Sequence, residues 1–118
     1  TYAKTEKEID LPVIILTNEN TASASEILAG ALKDNGVAKT VGTTTYGKGL
    51  IQELLKLEDE SGLKLTTSEY YTPNKNTINK VGIVPDVEIE LEDEYKNLIS
   101  IPKDKDTQLN KAMELLKK

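Results

Sequence analysis

Apolar and polar positions follow several different periods along this chain, and the changes of period mark out its elements. LPVIILT (residues 11–17) is a continuous run of branched apolar residues, which predicts a buried strand, parallel and central in its sheet. A helical period follows from about Ser23 to Lys33, with Ile27, Leu28, Ala31 and Leu32 on one stripe and Asn35-Gly36 as the stop. VAKTVG (37–42) reads as a second short strand, and strand, helix, strand in about thirty residues makes a βαβ unit with a parallel pair. TTTYGKG (43–49) is a loop with glycines on both sides of Lys48. LIQELLKLED (50–59) has apolar positions 50, 51, 54, 55 and 57, which fit a helix slightly better than a strand. GLKLTTSEYYT (62–72) alternates Leu63, Leu65 and Thr67 and reads as a strand. A polar turn over Glu58 to Gly62 would join the two as a hairpin, making 50–57 a strand instead. Residues 73–82 form a turn-rich loop, and VPDVEIEL (84–91) alternates Val87, Ile89 and Leu91 as a strand does. Residues 92–105 are a charged connector containing Pro102. DTQLNKAMELLKK (106–118) has Leu109, Ala112, Met113 and Leu116 at helical spacing, with two lysines at the end that suits the helix dipole. The sum is an α/β chain: a small mixed β-sheet with helices packed on it, without repeats.

Composition narrows the chemistry. The 118 residues suffice for one modest domain, and five Tyr with no Phe or Trp leave the core to Ile, Leu, Val and Ala. A net charge of -5 argues against non-specific nucleic-acid binding, so no nucleic-acid partner is expected. No run approaches the ~18 apolar residues of a membrane span. No signal peptide opens the chain, and TYAKTEKEID reads like the middle of a protein. Histidine and cysteine are both absent. A Ser-His-Asp triad, a thiol nucleophile and a His- or Cys-based zinc site are therefore excluded within this chain. A reactive serine would need Lys, Asp, Glu or Tyr as its base.

Three constellations carry candidate chemistry, each beside a structural alternative. In NENTASASEILAGAL (18–32), Ser23 and Glu26 form Ser-x-x-Glu, the pattern of a capping box. A helix start is also a good place for a nucleophile, because its N–H groups and positive dipole end stabilise an oxyanion. Ala22 and Ala24 leave the approach open. Lys48, between Gly47 and Gly49, is either a solvated loop lysine or one whose backbone must approach something closely. A lysine acts as a base only when neutral, and Gln52, four residues on, could hydrogen-bond an amine without adding charge. Finally, Gly42 to Lys48 has Walker A spacing after a strand. Gly49 stands where Ser or Thr should hold magnesium, and a near-miss of a short motif is weak evidence for nucleotide binding.

Together these segments resemble the carboxyl-terminal processing peptidases, or tail-specific proteases. NENTASASEILAGALKDNG is similar to the family's nucleophile segment and VGTTTYGKGLIQ to its lysine segment. SGLKLTTSEYYTPN and VGIVPDVEI resemble the two stretches that follow, and DTQLNKAMELL the closing helix. Five blocks in the right order cover roughly residues 11–91 and 106–116. The resemblance implies a ClpP/crotonase-like protease core and a serine endopeptidase that cleaves proteins near their C-termini through an acyl-enzyme. It implies Ser23 as nucleophile, Lys48 as base, Gln52 orienting the lysine, and the Ala24 backbone N–H as one oxyanion donor. It implies no cofactor and no metal, protein or peptide substrates with unstructured C-termini, and a cell-envelope or extracellular location for a full-length, bacterial-type protein.

The chain departs from the family pattern in places. Asn20 stands where Gly is common, a mild change because Asn tolerates left-handed backbone. Tyr46 stands where Phe is common. A PDZ-type domain and the upstream half of the core, with its second oxyanion donor, are not in these residues. Residues 1–118 therefore read as the C-terminal portion of a peptidase domain, almost inactive alone and prone to self-association through exposed apolar surface. The competing reading is a non-catalytic relative that binds peptide or scaffolds an assembly. Intact Ser23, Lys48 and Gln52 argue against it.

Overall fold

The computed structural model describes residues 11–117; TYAKTEKEID and Lys118 lie outside the described residues. In chain order the elements are β1 (Val13–Thr17), α1 (Ala24–Asp34), β2 (Ala38–Gly42), β3 (Leu50–Lys56), β4 (Gly62–Glu69), β5 (Val87–Glu88) and α2 (Thr107–Leu116). The β1–α1–β2 unit forms as the sequence predicts. β1 and β2 run parallel, with Val13 opposite Ala38 and Thr17 opposite Gly42. β5 pairs with the other edge of β2 through Val41 and Gly42. The order β1-β2-β5 places β2, not β1, at the centre of this sheet. The apolar run 11–17 is thus an edge strand among the described residues, and Leu16 is exposed while Val41 of β2 is wholly buried. α1 packs on β2, and α2 on β1 and β2.

The inward face of α1 differs from the expected stripe. Its buried residues are Glu26, Ala29 and Gly30, whereas Leu28 is 60% exposed. Close approach explains this: a Cβ on Gly30 would stand 3.1 Å from Thr72 Cγ2 and 3.2 Å from Ile83 Cδ1. Small side chains bring the helix down onto its neighbours, and the large apolar ones are left at its flank and outer side.

Residues 50–57 resolve as a strand. β3 and β4 form an antiparallel hairpin with Leu55 opposite Leu63, a register shift after Ile51, and a turn closed by Leu57 N–H to Ser61 O at 2.8 Å. Parallel and antiparallel pairs are therefore divided between two sheets. β5 is only two residues of the eight that alternate. Beyond Glu88, α2 takes the backbone acceptors instead: Gln108 Nε2 donates to Ile89 O at 2.8 Å and Thr107 Oγ1 to Glu90 O at 3.0 Å. α2 itself is capped by Asp106, whose carboxylate accepts from Leu109 N–H.

Candidate active site

Parallel neighbours send the loops that follow them to the same end of a sheet. The loop after β1 carries Ser23, and the loop after β2 carries Lys48. Thr43 N–H donates to Thr17 O, and Tyr46 N–H to Thr21 O at 2.9 Å, so the two loops run side by side.

Ser23 makes the turn into α1 with φ 57 and ψ -118, a conformation that costs a non-glycine residue about 1–3 kcal/mol. Asn20, which would tolerate left-handed backbone, is not among the positive-φ residues; Ser23 is. A strained strand-to-helix turn of this kind projects a serine Oγ outward in other hydrolases. Here Ser23 is exposed. Its side chain stands over the Glu26 N–H as a capping box places it, yet makes no cap hydrogen bond; that N–H donates to the Ser23 carbonyl at 2.9 Å. Ala24 is the first residue of α1, and its N–H has no acceptor among the described residues.

Lys48 is fixed by its backbone while its side chain is exposed. Lys80 N–H donates to Gly47 O at 2.8 Å and Tyr70 N–H to Gly49 O at 2.7 Å. A Cβ on Gly49 would lie 2.5 Å from the Asn79 nitrogen, and Gly47 takes φ +86 against Val81 and Gly82, which is why glycine flanks the lysine on both sides. No ion pair forms at Lys48 among the described residues. Gln52 lies on β3 just past the register shift, exposed, opposite Thr66, with no side-chain hydrogen bond among the described residues. The structure thus brings the Ser23 and Lys48 backbones together and leaves Gln52 on the neighbouring hairpin. A Walker A loop would open a helix, and here β3 follows Gly49.

Sequence reasoning assigned Glu26 to the helix start alone. The structure gives it more. Glu26 is completely buried. Its Oε1 accepts from Thr45 Oγ1 and Gly47 N–H, both at 2.6 Å, and its Oε2 from Ser23 N–H and Lys48 N–H, both at 2.8 Å. Burial pushes the Glu26 carboxyl up, but hydrogen bonds from Thr45, Lys48, Gly47 and Ser23 outweigh it and hold the pKa below the ordinary glutamate value. The signal in the sequence was a glutamate sharing the face of Ala29 and Gly30, the smallest residues of the helix. Among the described residues no cluster of acidic groups is arranged to hold a metal ion. A crevice of about 290 Å³ lies at the carboxyl ends of the parallel strands, between Glu19, Thr43, Glu88 and Lys96. Ser23, Lys48 and Gln52 do not line it.

A family model, that of peptidase family S41, matches residues 1–89. The chain belongs to peptidase family S41. Within this family it is 46% identical over 117 residues to a carboxyl-terminal-processing protease of Synechocystis, covering 97% of this chain. It is 57% identical over 77 residues, 65% of this chain, to the protein of that name from Picosynechococcus. The chain spans 26% and 19% of those two relatives' lengths. Among solved structures, a photosystem II D1 C-terminal processing protease superimposes with a TM-score of 0.65 at 49% identity, over 67% of this chain and 20% of that one.

Proposed function

We propose that this S41 chain is the C-terminal portion of a serine endopeptidase domain that cleaves proteins near their C-termini by a Ser23–Lys48 dyad. The observation that carries the reading is the shared Glu26 oxygen: Ser23 N and Lys48 N both lie 2.8 Å from it, so the two nitrogens are within 5.6 Å, at most twice that length. Ser23 Oγ attacks the scissile carbonyl while Lys48 accepts its proton, and the proton then passes to the leaving amine. Water, deprotonated by the same lysine, hydrolyses the acyl-enzyme. Ala24 N–H, which has no acceptor among the described residues, receives the oxyanion. Gln52, whose side chain makes no hydrogen bond among the described residues, orients the lysine amine. Among the described residues no carboxylate pairs with Lys48, which favours this role, since an ion pair would hold the amine protonated.

The substrates are proteins cut near their C-termini, as the names of the relatives suggest, with those termini unstructured, and the site of action is the cell envelope or exterior. The chain alone is nearly inactive: it supplies one oxyanion donor, and losing a donor costs about 10²–10³ in rate. The test joins this chain to its native upstream half and offers an unstructured protein with an apolar C-terminus. Cleavage should rise with pH, because the base works only unprotonated, and should vanish in Ser23→Ala and Lys48→Ala. Equal cleavage by Lys48→Ala would place the base elsewhere. Binding without cleavage would favour the non-catalytic reading, and rapid turnover by the 118 residues alone would refute their dependence on an upstream half.

A further inference from the structure

We propose that Glu26 is the positioning residue of this site, one buried carboxylate that sets nucleophile and base in a common frame and decides which backbone N–H serves the oxyanion. The inference rests on the Ser23–Lys48 reading. A capping box needs only one of the four bonds that Glu26 accepts, the one from Ser23 N–H. The other three come from residues 45 to 48, nineteen to twenty-two positions downstream. All four donors are uncharged, three amides and a hydroxyl. A buried carboxylate without a cation is tolerated only where its hydrogen bonds are complete, and here each oxygen accepts two. The network continues outward. Thr45 Oγ1 donates to Glu26 and accepts from Ile83 N–H at 2.7 Å, so the 78–83 turn braces the same carboxylate.

Two consequences follow from the atoms. Glutamine cannot replace Glu26 without loss, because its NH₂ would face at least one backbone N–H whichever way the amide is turned: Gly47 at one oxygen's place, Ser23 and Lys48 at the other's. The Ser23 N–H, the nucleophile's own amide and the oxyanion donor of some serine proteases, is consumed by Oε2. The oxyanion is thereby left to the Ala24 N–H. Glu26 touches neither substrate nor leaving group and acts only through the two loops.

The experiment measures steady-state cleavage of an unstructured peptide by the protease that contains this chain with its upstream half, in the parent, Ser23→Ala, Glu26→Gln, Thr45→Val and Thr45→Ser. Glu26→Gln should lower kcat about 10²-fold, the cost of a displacement near 1 Å, with KM within about twofold. Thr45→Val should lower kcat in the same sense, and Thr45→Ser, which keeps the hydroxyl, should restore it. Circular dichroism melts accompany each variant. If Glu26→Gln fails to melt cooperatively, the Val and Ser pair at residue 45 decides. Glu26→Gln with kcat within about threefold of the parent, or Thr45→Ser as impaired as Thr45→Val, overturns the inference while leaving the dyad intact. Parent and Ser23→Ala cleaving alike would instead fell the dyad reading, and this inference with it.

Discussion

Ser23 and Glu26 divide a task that the sequence joins in one short motif. The serine takes the strained backbone and keeps its hydroxyl free of the cap; the glutamate takes the burial and the hydrogen bonds. Glu26 has a lower pKa folded than unfolded, and so does Asp86, where burial is outweighed by bonds from Thr40 and Lys33. A carboxyl of that kind binds fewer protons when folded, so its stabilisation is complete above its unfolded pKa and is lost as pH falls through the folded one. The thermal midpoint should therefore drop as pH is lowered below about 4, the ordinary carboxylate range. Glu26→Gln should start lower and fall less steeply in melts between pH 7 and pH 3; an acid slope equal to the parent's would remove Glu26 as a source. At this scale the sequence singles out Ser23 and Lys48 through their flanking small residues, and Gln52 through its place four positions after the lysine. Glu26's second role was hidden, because a carboxylate in a capping pattern predicts an exposed side chain. Only the fold reveals that the lysine loop arrives on top of it.

Elements were legible where a local period decides them and obscure where a neighbour does. β2 and α2 can be read from apolar spacing, and β4 from Leu63 and Leu65. Residues 50–57 could not be settled from spacing, because LIQELLK satisfies both periods; the Glu58–Gly62 turn and the partner strand make it β3. β5 was overestimated for the converse reason. Val87, Ile89 and Leu91 keep a strand period, but β2 ends at Gly42, whose carbonyl accepts the last ladder bond, from Ile89 N–H. The GKG segment makes a sharper case. Of the two readings of its glycines, a flexible loop or a close backbone approach, the second holds: Gly49 lies against the backbone of Asn79. Gly49→Ala should cost about 1–3 kcal/mol, the usual range for overpacking, seen as a lower urea midpoint. An unchanged midpoint would mean that the 78–83 turn yields without strain.

The molecule as a whole is longer than its size suggests. Its radius of gyration is 17.5 Å, against about 13–14 Å expected of a chain this long. The β3–β4 hairpin packs chiefly on itself rather than on the β1-β2-β5 layer. Leu55, Leu57, Leu63 and Leu65 share one of its faces, each 42–44% exposed. Isolated two-stranded hairpins are marginal in water, and an apolar face invites cover. Sedimentation of this chain should show self-association that grows with concentration and weakens in Leu55→Lys combined with Leu63→Lys. A monomer at every concentration would count against it. The other feature at this scale is the carboxylate that bridges the two loops. Copying Ser23, Lys48 and Gln52 onto a foreign scaffold would transplant reactive groups without their spacing. The smallest portable cassette runs from β1 through Gln52 and carries the 78–83 turn with it, because Glu26 takes its four donors from residues 23 and 45–48 and Ile83 N–H holds the Thr45 hydroxyl that is one of them.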